Sequence, residues 1–246
     1  MQIKIYLPLF IFLFCVGCSA ATFDYHVATS DSSNDFVIIL HGLRGKSASF
    51  VNLEQALLEQ GLNVCRIDYP SKNGTIQALA DNAIAEAISR CERANSDTLF
   101  FIAHSMGAIL VRYFLQEHHV HNLGSVVLLS PPNHGIELID TFDGCRLFRQ
   151  FNGPAGMQMG AREDGFIQDL KKPDYAVGVI MSKKSINPIA SAFIPGKDDG
   201  RVSIESAKLD GMTDFVLVNS NHHVVMKKQE TIDHIISFIQ TGRFDR

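Results

Sequence analysis

The chain has 246 residues and a formal net charge of −4, with 46% hydrophobic and 20% charged residues. This length suits a single α/β domain with a sizeable core, and the composition excludes a disordered, collagen-like or small disulfide-rich chain. Because binding to nucleic-acid phosphates needs clustered Lys and Arg, the charge balance also argues against nucleic acid as the main partner.

The N-terminal segment has the layout of an export signal. One Lys near the start is followed by an apolar stretch at 5–16 and then by small residues. The stretch is shorter than the roughly 20 apolar residues that span a bilayer, which favours a secretory signal peptide at residues 1–20. An uncleaved anchor is an alternative.

The segment 15–18, Cys-Val-Gly-Cys, resembles a bacterial lipobox, a motif whose last Cys is lipidated and becomes the mature N-terminus. The resemblance implies lipidation of Cys18 and membrane association through that lipid. Cleavage after Ala20 by an ordinary signal peptidase is the main alternative. In both cases we expect an exported protein, either lipid-anchored in the cell envelope or periplasmic or secreted.

From residue 36 onward, short apolar runs alternate with stretches of helical periodicity. Runs that are apolar at consecutive positions are typical of strands covered by helices on both faces. Residues 21–35 have room for at most one more strand. The alternation predicts an α/β fold, with a mostly parallel sheet of about six strands and helices on both faces. The predicted strands are 36–40, 62–67, 98–103, 125–129, 176–181 and 215–218, and the predicted helices are 47–60, 75–93, 105–116 and 231–240.

We assign residues 21–246 to one domain, because no repeat, linker or second boundary interrupts them. Residues 131–173, after the strand that ends near Ser130, carry Pro, Gly, Met and Phe without a clean period. A long insertion between two strands of a compact domain is usually functional. We expect it to form a cap or to line the pocket, with Phe148, Phe151 and the stretch 153–160 as an apolar wall.

Removal of the signal peptide leaves Cys65, Cys91 and Cys145, which form at most one disulfide. Cys65 and Cys91 lie in apolar patterns and are expected to be small buried side chains. The Cys and His spacings do not suit zinc, and the His cluster at 118–121 has no accompanying carboxylate or Cys pattern. We therefore predict neither a metal nor a cofactor.

Ser105 follows a predicted strand and stands at the start of an apolar helix. This context is the one required for a nucleophile elbow, a sharp strand-to-helix turn that presents a Ser hydroxyl at the carboxyl edge of the sheet. The turn needs small residues two positions before and two after the nucleophile, where this chain has Ala103 and Gly107. A Ser at the head of a helix can also be a plain N-cap, but its neighbours favour the nucleophile.

The segment 41–45, His-Gly-Leu-Arg-Gly, directly follows another predicted strand. An acyl-transfer enzyme needs backbone N–H groups aimed at the oxygen that becomes negative in the transition state. Gly42 and Gly45 give the loop the freedom to place such a group. We expect the amides of Leu43 and Met106, the residue after the nucleophile, to form this oxyanion hole.

The loop at 41–45 and the sequence Ala-His-Ser-Met-Gly at 103–107 together resemble the α/β-hydrolases, especially the small bacterial lipases and esterases. The resemblance runs from about residue 36 to residue 238, nearly the whole mature chain. It implies the α/β-hydrolase fold and a catalytic triad in the chain order Ser, acid, His.

The resemblance also implies which residue is the acid. The segment 199–202, Asp-Gly-Arg-Val, looks like the family's Asp-Gly-x-Val turn and puts Asp199 in the catalytic position. Asp198 is the alternative. The acid would hold the His in the right tautomer and stabilise its charged form.

The base should follow the last strand, and two adjacent His are candidates. In similar hydrolases the His is followed by apolar residues three and four positions later, and His222 fits this pattern through Val225 and Met226. His223 is the alternative. His234 on the final helix is expected at the surface.

These parts imply a serine hydrolase that cleaves a carboxylic ester through an acyl-enzyme, with a neutral, apolar small-molecule or lipid ester as substrate. Thioester or amide cleavage and acyl transfer to another alcohol use the same parts and stay open. A non-catalytic envelope binding protein with this fold is a further alternative. The presence of Ser105, Asp199 and His222 at the expected chain positions argues against it.

Overall fold

The computed structural model describes residues 22–246. The predicted signal peptide, including Cys18, lies outside the described residues. The strands are Asp24–Ala28 (β1), Phe36–Leu40 (β2), Asn63–Asp68 (β3), Leu99–His104 (β4), Leu123–Leu129 (β5), Ala176–Ser182 (β6) and Asp214–Val218 (β7). The α-helices are Val51–Glu59 (α1), Ile76–Arg93 (α2), Met106–Glu117 (α3), Glu137–Thr141 (α4), Arg146–Met157 (α5), Pro188–Ser191 (α6), Ile204–Ala207 (α7) and Gln229–Thr241 (α8), and 3-10 helices lie at Ser47–Phe50, Phe166–Asp169 and Val225–Lys227.

The seven strands of the described chain form one sheet in the order β1-β3-β2-β4-β5-β6-β7. Strands β2 to β7 are parallel, and β1 pairs antiparallel with β3 at one edge. All six strands predicted from the apolar runs are present, with bounds within two residues of the prediction. The seventh, β1, is the strand for which residues 21–35 had room; its side chains are exposed or half-buried, so it has no apolar run.

Alternate side chains of the central strand β2 enter two separate hydrophobic cores. Phe36, Ile38 and Leu40 pack on the side of the sheet that carries α2 and α3, whereas Val37 and Ile39 pack on the side of α1 and α8. All five side chains are buried. This two-sided burial explains why the run is apolar at consecutive positions, and it confirms the prediction of helices on both faces.

The insertion at 131–173 leaves the sheet after β5 and contains α4, α5 and a 3-10 helix. The buried guanidinium of Arg112, on α3, holds both of its ends. It donates to the backbone and side-chain oxygens of Asn133, at 3.1 and 3.2 Å, and to the carbonyl oxygens of Leu170 and Lys171, at 3.3 and 3.4 Å. Burial lowers the pKa of Arg112 to about 10. Because a buried charge is costly unless it is hydrogen-bonded, these carbonyls and Arg112 stabilise one another.

Two further sequence expectations concern local structure. The helix predicted at 47–60 begins as a 3-10 turn and becomes α-helical at Val51. Cys65 and Cys91 are buried as expected, and Cys145 is exposed; all three are free thiols. Between residues 22 and 246, no helix combines the length and hydrophobicity needed to cross a bilayer.

Candidate active site

Ser105 lies in the sharp turn between β4 and α3. Its φ of 53° and ψ of −121° are unfavourable for a residue with a side chain, and the turn is held by a 2.9 Å hydrogen bond from its N–H to the carbonyl of Leu129 on β5. The neighbouring backbone approaches so closely that a Cβ at Gly107 would lie 2.6 Å from the carbonyl oxygen of His41. The small residue two positions after the Ser is therefore a packing requirement of the turn.

A continuous chain of hydrogen bonds joins Ser105, His222 and Asp199. Nε2 of His222 lies 3.0 Å from Oγ of Ser105, and Nδ1 of His222 lies 2.8 Å from Oδ2 of Asp199. All three residues are buried. The geometry suits a proton transfer from the Ser hydroxyl to a His that is oriented by a carboxylate.

The turn after β6 explains why Asp199, and not its neighbour, reaches the His. Oδ1 of Asp199 accepts hydrogen bonds from the amides of Arg201 and Val202, at 3.1 and 3.0 Å, which leaves Oδ2 facing His222. Oδ1 of Asp198 instead accepts from the hydroxyl of Ser191 and the amide of Gly200, both at 2.7 Å. Asp198 thus closes its own turn and makes no contact with the His.

The ring of the alternative base, His223, forms no hydrogen bond with Ser105 or Asp199. His223 is exposed, and its ring meets the ring of His222 edge-on at a centroid distance of 5.8 Å. The structure brings His222 to Ser105 and leaves His223 at the rim of the same cavity.

His104, the residue before Ser105, contacts the backbone of the candidate base. Its Nε2 donates to the carbonyl oxygen of His222 at 2.9 Å. Burial, followed by the nearby His222, holds the pKa of His104 well below its usual value, so the ring is neutral and Nε2 carries its proton. No pattern in the sequence marks this role, because the two residues are 118 positions apart.

The loop at 41–45 lies directly beside the Ser. A Cβ at Gly42 would lie 3.0 Å from Cβ of Ser105, so only glycine allows this approach without displacement. The amide of Leu43 makes no hydrogen bond within residues 22–246, and the amide of Met106 is at the first turn of α3, where N–H groups have no partner within the helix. Both donors are thus available to a ligand.

His41 holds this loop in place through contacts with Gly42 and Tyr69. Its ring stacks on Tyr69 at 4.2 Å, its Nδ1 donates to the carbonyl of Gly42 at 2.7 Å, and its Nε2 accepts from the amide of Tyr69 at 3.3 Å. The hydroxyl of Tyr69 also donates to the carbonyl of His41. Burial lowers the pKa of His41, which keeps the ring neutral and this set of bonds intact.

A cavity of about 420 Å³ opens over Ser105 and His222. One wall is apolar and comes from the insertion, and it includes two of the expected aromatic residues and one Met of the stretch 153–160. The size and lining suit a small molecule with an apolar portion. The apolar residues of this wall are Ile136, Leu138, Ile139, Phe148, Phe151 and Met159.

The remaining histidines lie outside this cavity. His118 pairs with Asp81 at 3.0 Å on the exposed end of α3, and no group of three or more His, Cys, Asp or Glu in the described residues could hold a metal ion. His234 was expected at the surface, which is wrong in part: its ring is half-buried against Phe244, because the residues after α8 fold back over it.

A family model described as alpha/beta hydrolase fold matches residues 35–185, which is more than half of the chain. A search of the curated proteins found none that matches.

Solved structures share the fold at low sequence identity. The mature lipase of Bacillus licheniformis is 15% identical, with a TM-score of 0.68 over 90% of this chain and 98% of its own. An esterase from Exiguobacterium antarcticum is also 15% identical, with a TM-score of 0.60 over 90% and 96% of the two chains. A bromoperoxidase from Bacillus anthracis is 14% identical, with a TM-score of 0.61 over 89% and 96%. The fold is therefore common to enzymes that are named for different reactions. The reaction of this chain has to be inferred from its site residues.

Proposed function

The chain belongs to the α/β-hydrolase fold family, and on this basis we propose that it is a serine hydrolase that cleaves carboxylic esters. In this proposal Ser105 is the nucleophile, His222 is the general base and Asp199 orients the base. The observation that carries the proposal is the unbroken hydrogen-bond chain from Asp199 through His222 to Ser105, with distances of 2.8 and 3.0 Å.

The reaction proceeds in two halves. His222 takes the proton of Ser105 as Oγ attacks the acyl carbonyl, and Asp199 holds the Nδ1–H tautomer and stabilises the imidazolium that forms. His222 then gives the proton to the leaving alcohol, and an acyl-enzyme remains on Ser105. A water molecule, deprotonated by His222, releases the carboxylic acid and restores the hydroxyl.

The amides of Leu43 and Met106 stabilise the oxyanion in both halves of the reaction. One comes from the loop after β2 and the other from the first turn of α3, where the helix dipole adds to the stabilisation. Loss of one such donor typically lowers turnover by about 10²–10³-fold. The hydrogen bonds around His41 fix the position of the first donor.

The lining of the cavity supports the proposed substrate class. Its apolar wall supports an ester with an apolar acyl group, as in lipases and esterases, and flexible Met159 suits acyl chains of different shape.

We also propose that the chain is exported and lipidated at Cys18. Mass spectrometry of the mature N-terminus tests this: an acylated Cys18 supports it, and an unmodified N-terminus at Ala21 contradicts it.

Active-site labelling with a fluorophosphonate tests the enzyme class. We expect the wild-type chain to be labelled and to hydrolyse p-nitrophenyl esters, with chain-length dependence that reports the depth of the apolar wall. Ser105→Ala should lose both the label and the hydrolysis.

Ser49→Ala is the matched control, because Ser49 lines the same cavity but forms no hydrogen bond with a His in the described residues. It should keep the label. If no label depends on Ser105, the chain is not a serine hydrolase and a binding role takes its place. Faster turnover of thioesters or amides than of matched esters would move the activity to those substrates.

A further inference from the structure

Two arginines stand on the cavity that holds Ser105. Arg44 directly follows the proposed oxyanion donor Leu43, and Arg201 lies two residues after Asp199. Both line the cavity, and both are exposed at its mouth. They therefore come to the cavity of the proposed reaction centre from two different loops.

Neither guanidinium has an acidic or hydrogen-bonding partner in the described part of the chain. Within residues 22–246, neither side chain forms an ion pair or donates a hydrogen bond, whereas several other arginines, such as Arg66 with Glu54 at 2.6 Å, are paired. Arg44 lies over the ring of Phe151, 4.0 Å from its centroid, so a cation–π contact holds it against the insertion. The donors of both side chains remain available to a ligand.

The positive charge of Arg44 acts on the pKa of Arg201. Partial burial lowers the pKa of Arg201, Asp199 acts in the opposite direction, and the charge of Arg44 lowers the pKa further by a smaller amount. Arg44 and Arg201 line the same cavity, so an anion bound between them would reduce the repulsion between their two positive charges.

No Asp or Glu is among the described residues that line the cavity, although the chain as a whole has a net charge of −4. Asp199, which raises the pKa of Arg201, is buried, lies outside this lining and is hydrogen-bonded to His222. The apolar wall from the insertion lies in the same cavity. The site thus combines an apolar region with a cationic one, which a purely neutral substrate would leave unused.

We propose that the substrate is an ester whose apolar acyl chain lies on the insertion and whose alcohol portion carries a phosphate, which Arg44 and Arg201 bind together. This inference rests on the proposed serine hydrolase and names its substrate class. A phosphate carries a charge of about −1.5 to −2 and offers three acceptor oxygens, which matches two guanidinium forks better than a single carboxylate does.

The phosphate takes no part in the bond changes. Oγ of Ser105 forms the bond to the acyl carbon, the ester C–O bond breaks, and the alcohol leaves with a proton from His222 and with its phosphate unchanged. The arginines act by holding the alcohol portion at the mouth, so their contribution appears in the preference between substrates.

The test compares two substrates that differ only in the phosphate: a monoacylglycerol and the monoacylglycerol phosphate with the same acyl chain. The wild-type chain should show a kcat/KM about tenfold or more higher for the phosphate ester, since hydrogen bonds to charged groups contribute about 1.5–3 kcal/mol. Rising salt should reduce this preference. Arg44→Gln and Arg201→Gln should each lower the ratio of the two kcat/KM values, and the double variant should bring it near one.

Arg93→Gln is the matched control, because Arg93 is an exposed arginine on α2 that pairs with Glu86 outside the cavity. It should leave the ratio unchanged. Arg44→Lys keeps the positive charge but not the planar guanidinium, and it should keep part of the preference for the phosphate ester. It provides a second test if Arg44→Gln fails to fold. A wild-type ratio near one, a ratio that the double variant does not change, or a stronger preference for a matched carboxylate ester would overturn the inference.

A binding measurement separates this inference from the proposed function. Calorimetry with the Ser105→Ala chain should show that octyl phosphate binds and that octanol binds at least about tenfold more weakly, with the difference lost in the Arg44→Gln/Arg201→Gln background. If octyl phosphate binds in this way but no ester is cleaved, the proposed hydrolase is wrong and the anion site stands. If esters are cleaved but octyl phosphate shows no arginine-dependent binding, the hydrolase stands and the anion site is wrong.

Discussion

Nε2 of His104 donates to the carbonyl oxygen of His222 across 2.9 Å, so the residue before the proposed nucleophile fixes the backbone of the proposed base. The elbow and the loop after β7 are thus joined by a bond that is separate from the triad itself. A change in the elbow is therefore expected to reach the base through two routes, the Ser hydroxyl and this carbonyl.

Removal of this bond should weaken the reaction without removing the nucleophile. In His104→Ala the carbonyl of His222 loses its donor, and we expect kcat to fall by about 2–10-fold, the equivalent of one net hydrogen bond. His104→Gln offers an amide N–H near the position of Nε2 and should recover part of the loss. Steady-state kinetics and fluorophosphonate labelling rates measure both; equal kinetics in the wild type and His104→Ala would contradict the role.

The two adjacent aspartates should differ sharply in their effect on turnover. Asp199→Asn removes the carboxylate that faces Nδ1 of His222 and is expected to lower kcat by about 10⁴-fold, because the His is left in the wrong tautomer. Asp198→Asn keeps an acceptor for the amide of Gly200 and should change kcat by a few-fold at most. The reverse order of these effects, measured on a p-nitrophenyl ester, would make Asp198 the acid.

The packing beside the elbow predicts a stability difference between two glycines. An Ala side chain at Gly107 would meet the carbonyl oxygen of His41 at 2.6 Å, and Gly107→Ala should cost about 1–3 kcal/mol in the free energy of unfolding. Gly144 has no atom within 4 Å of its would-be Cβ, so Gly144→Ala should stay within about 0.5 kcal/mol. Urea unfolding of both variants checks this, and similar costs at the two positions would refute the packing argument.

The sequence predicted the parts of the site that depend on local spacing. The elbow depends on three residues within five positions, Ala103, Ser105 and Gly107, because the turn itself sets the steric demand. The apolar runs of the parallel strands were equally direct, since burial on both faces favours apolar side chains at consecutive positions. Strand β1 has no such run because it lies at the edge of the sheet, and only its place in the chain suggested it.

What the sequence left open depends on long-range geometry. The family pattern favoured Asp199 over Asp198 and His222 over His223 but left both alternatives open. In the structure a turn whose amides hold Oδ1 of Asp199 turns its Oδ2 to His222, and His222 reaches Ser105. Two other features join segments far apart in the chain. Arg112 binds both ends of the insertion, and Arg44 and Arg201 line the same cavity. The sequence led us to expect a neutral, apolar substrate, because nothing in the residue spacing shows that two arginines line the same cavity.

The buried histidines predict a pH dependence of stability. His104 and His41 have pKa values lowered from 6.5 in the folded chain, mainly by burial, whereas both titrate near 6.5 when the chain unfolds. Below about pH 6.5 the unfolded chain binds protons that the folded chain excludes, so this stability is complete above that pH and is lost as the pH falls. Each His contributes a slope of up to about 1.4 kcal/mol per pH unit.

Urea unfolding across this range measures the slope. His104→Gln, which cannot titrate, should show a shallower fall in the free energy of unfolding than the wild type. Identical slopes for the two chains would mean that His104 does not exclude its proton in the folded state.

The most direct measurement of the central claim is the capture of the acyl-enzyme. After rapid mixing with a p-nitrophenyl ester and acid quench, mass spectrometry should find one acyl group per chain on the peptide that contains Ser105, together with a burst of p-nitrophenol. The Ser105→Ala chain should show neither. An acyl group on another residue, or undiminished hydrolysis by Ser105→Ala, would contradict the account.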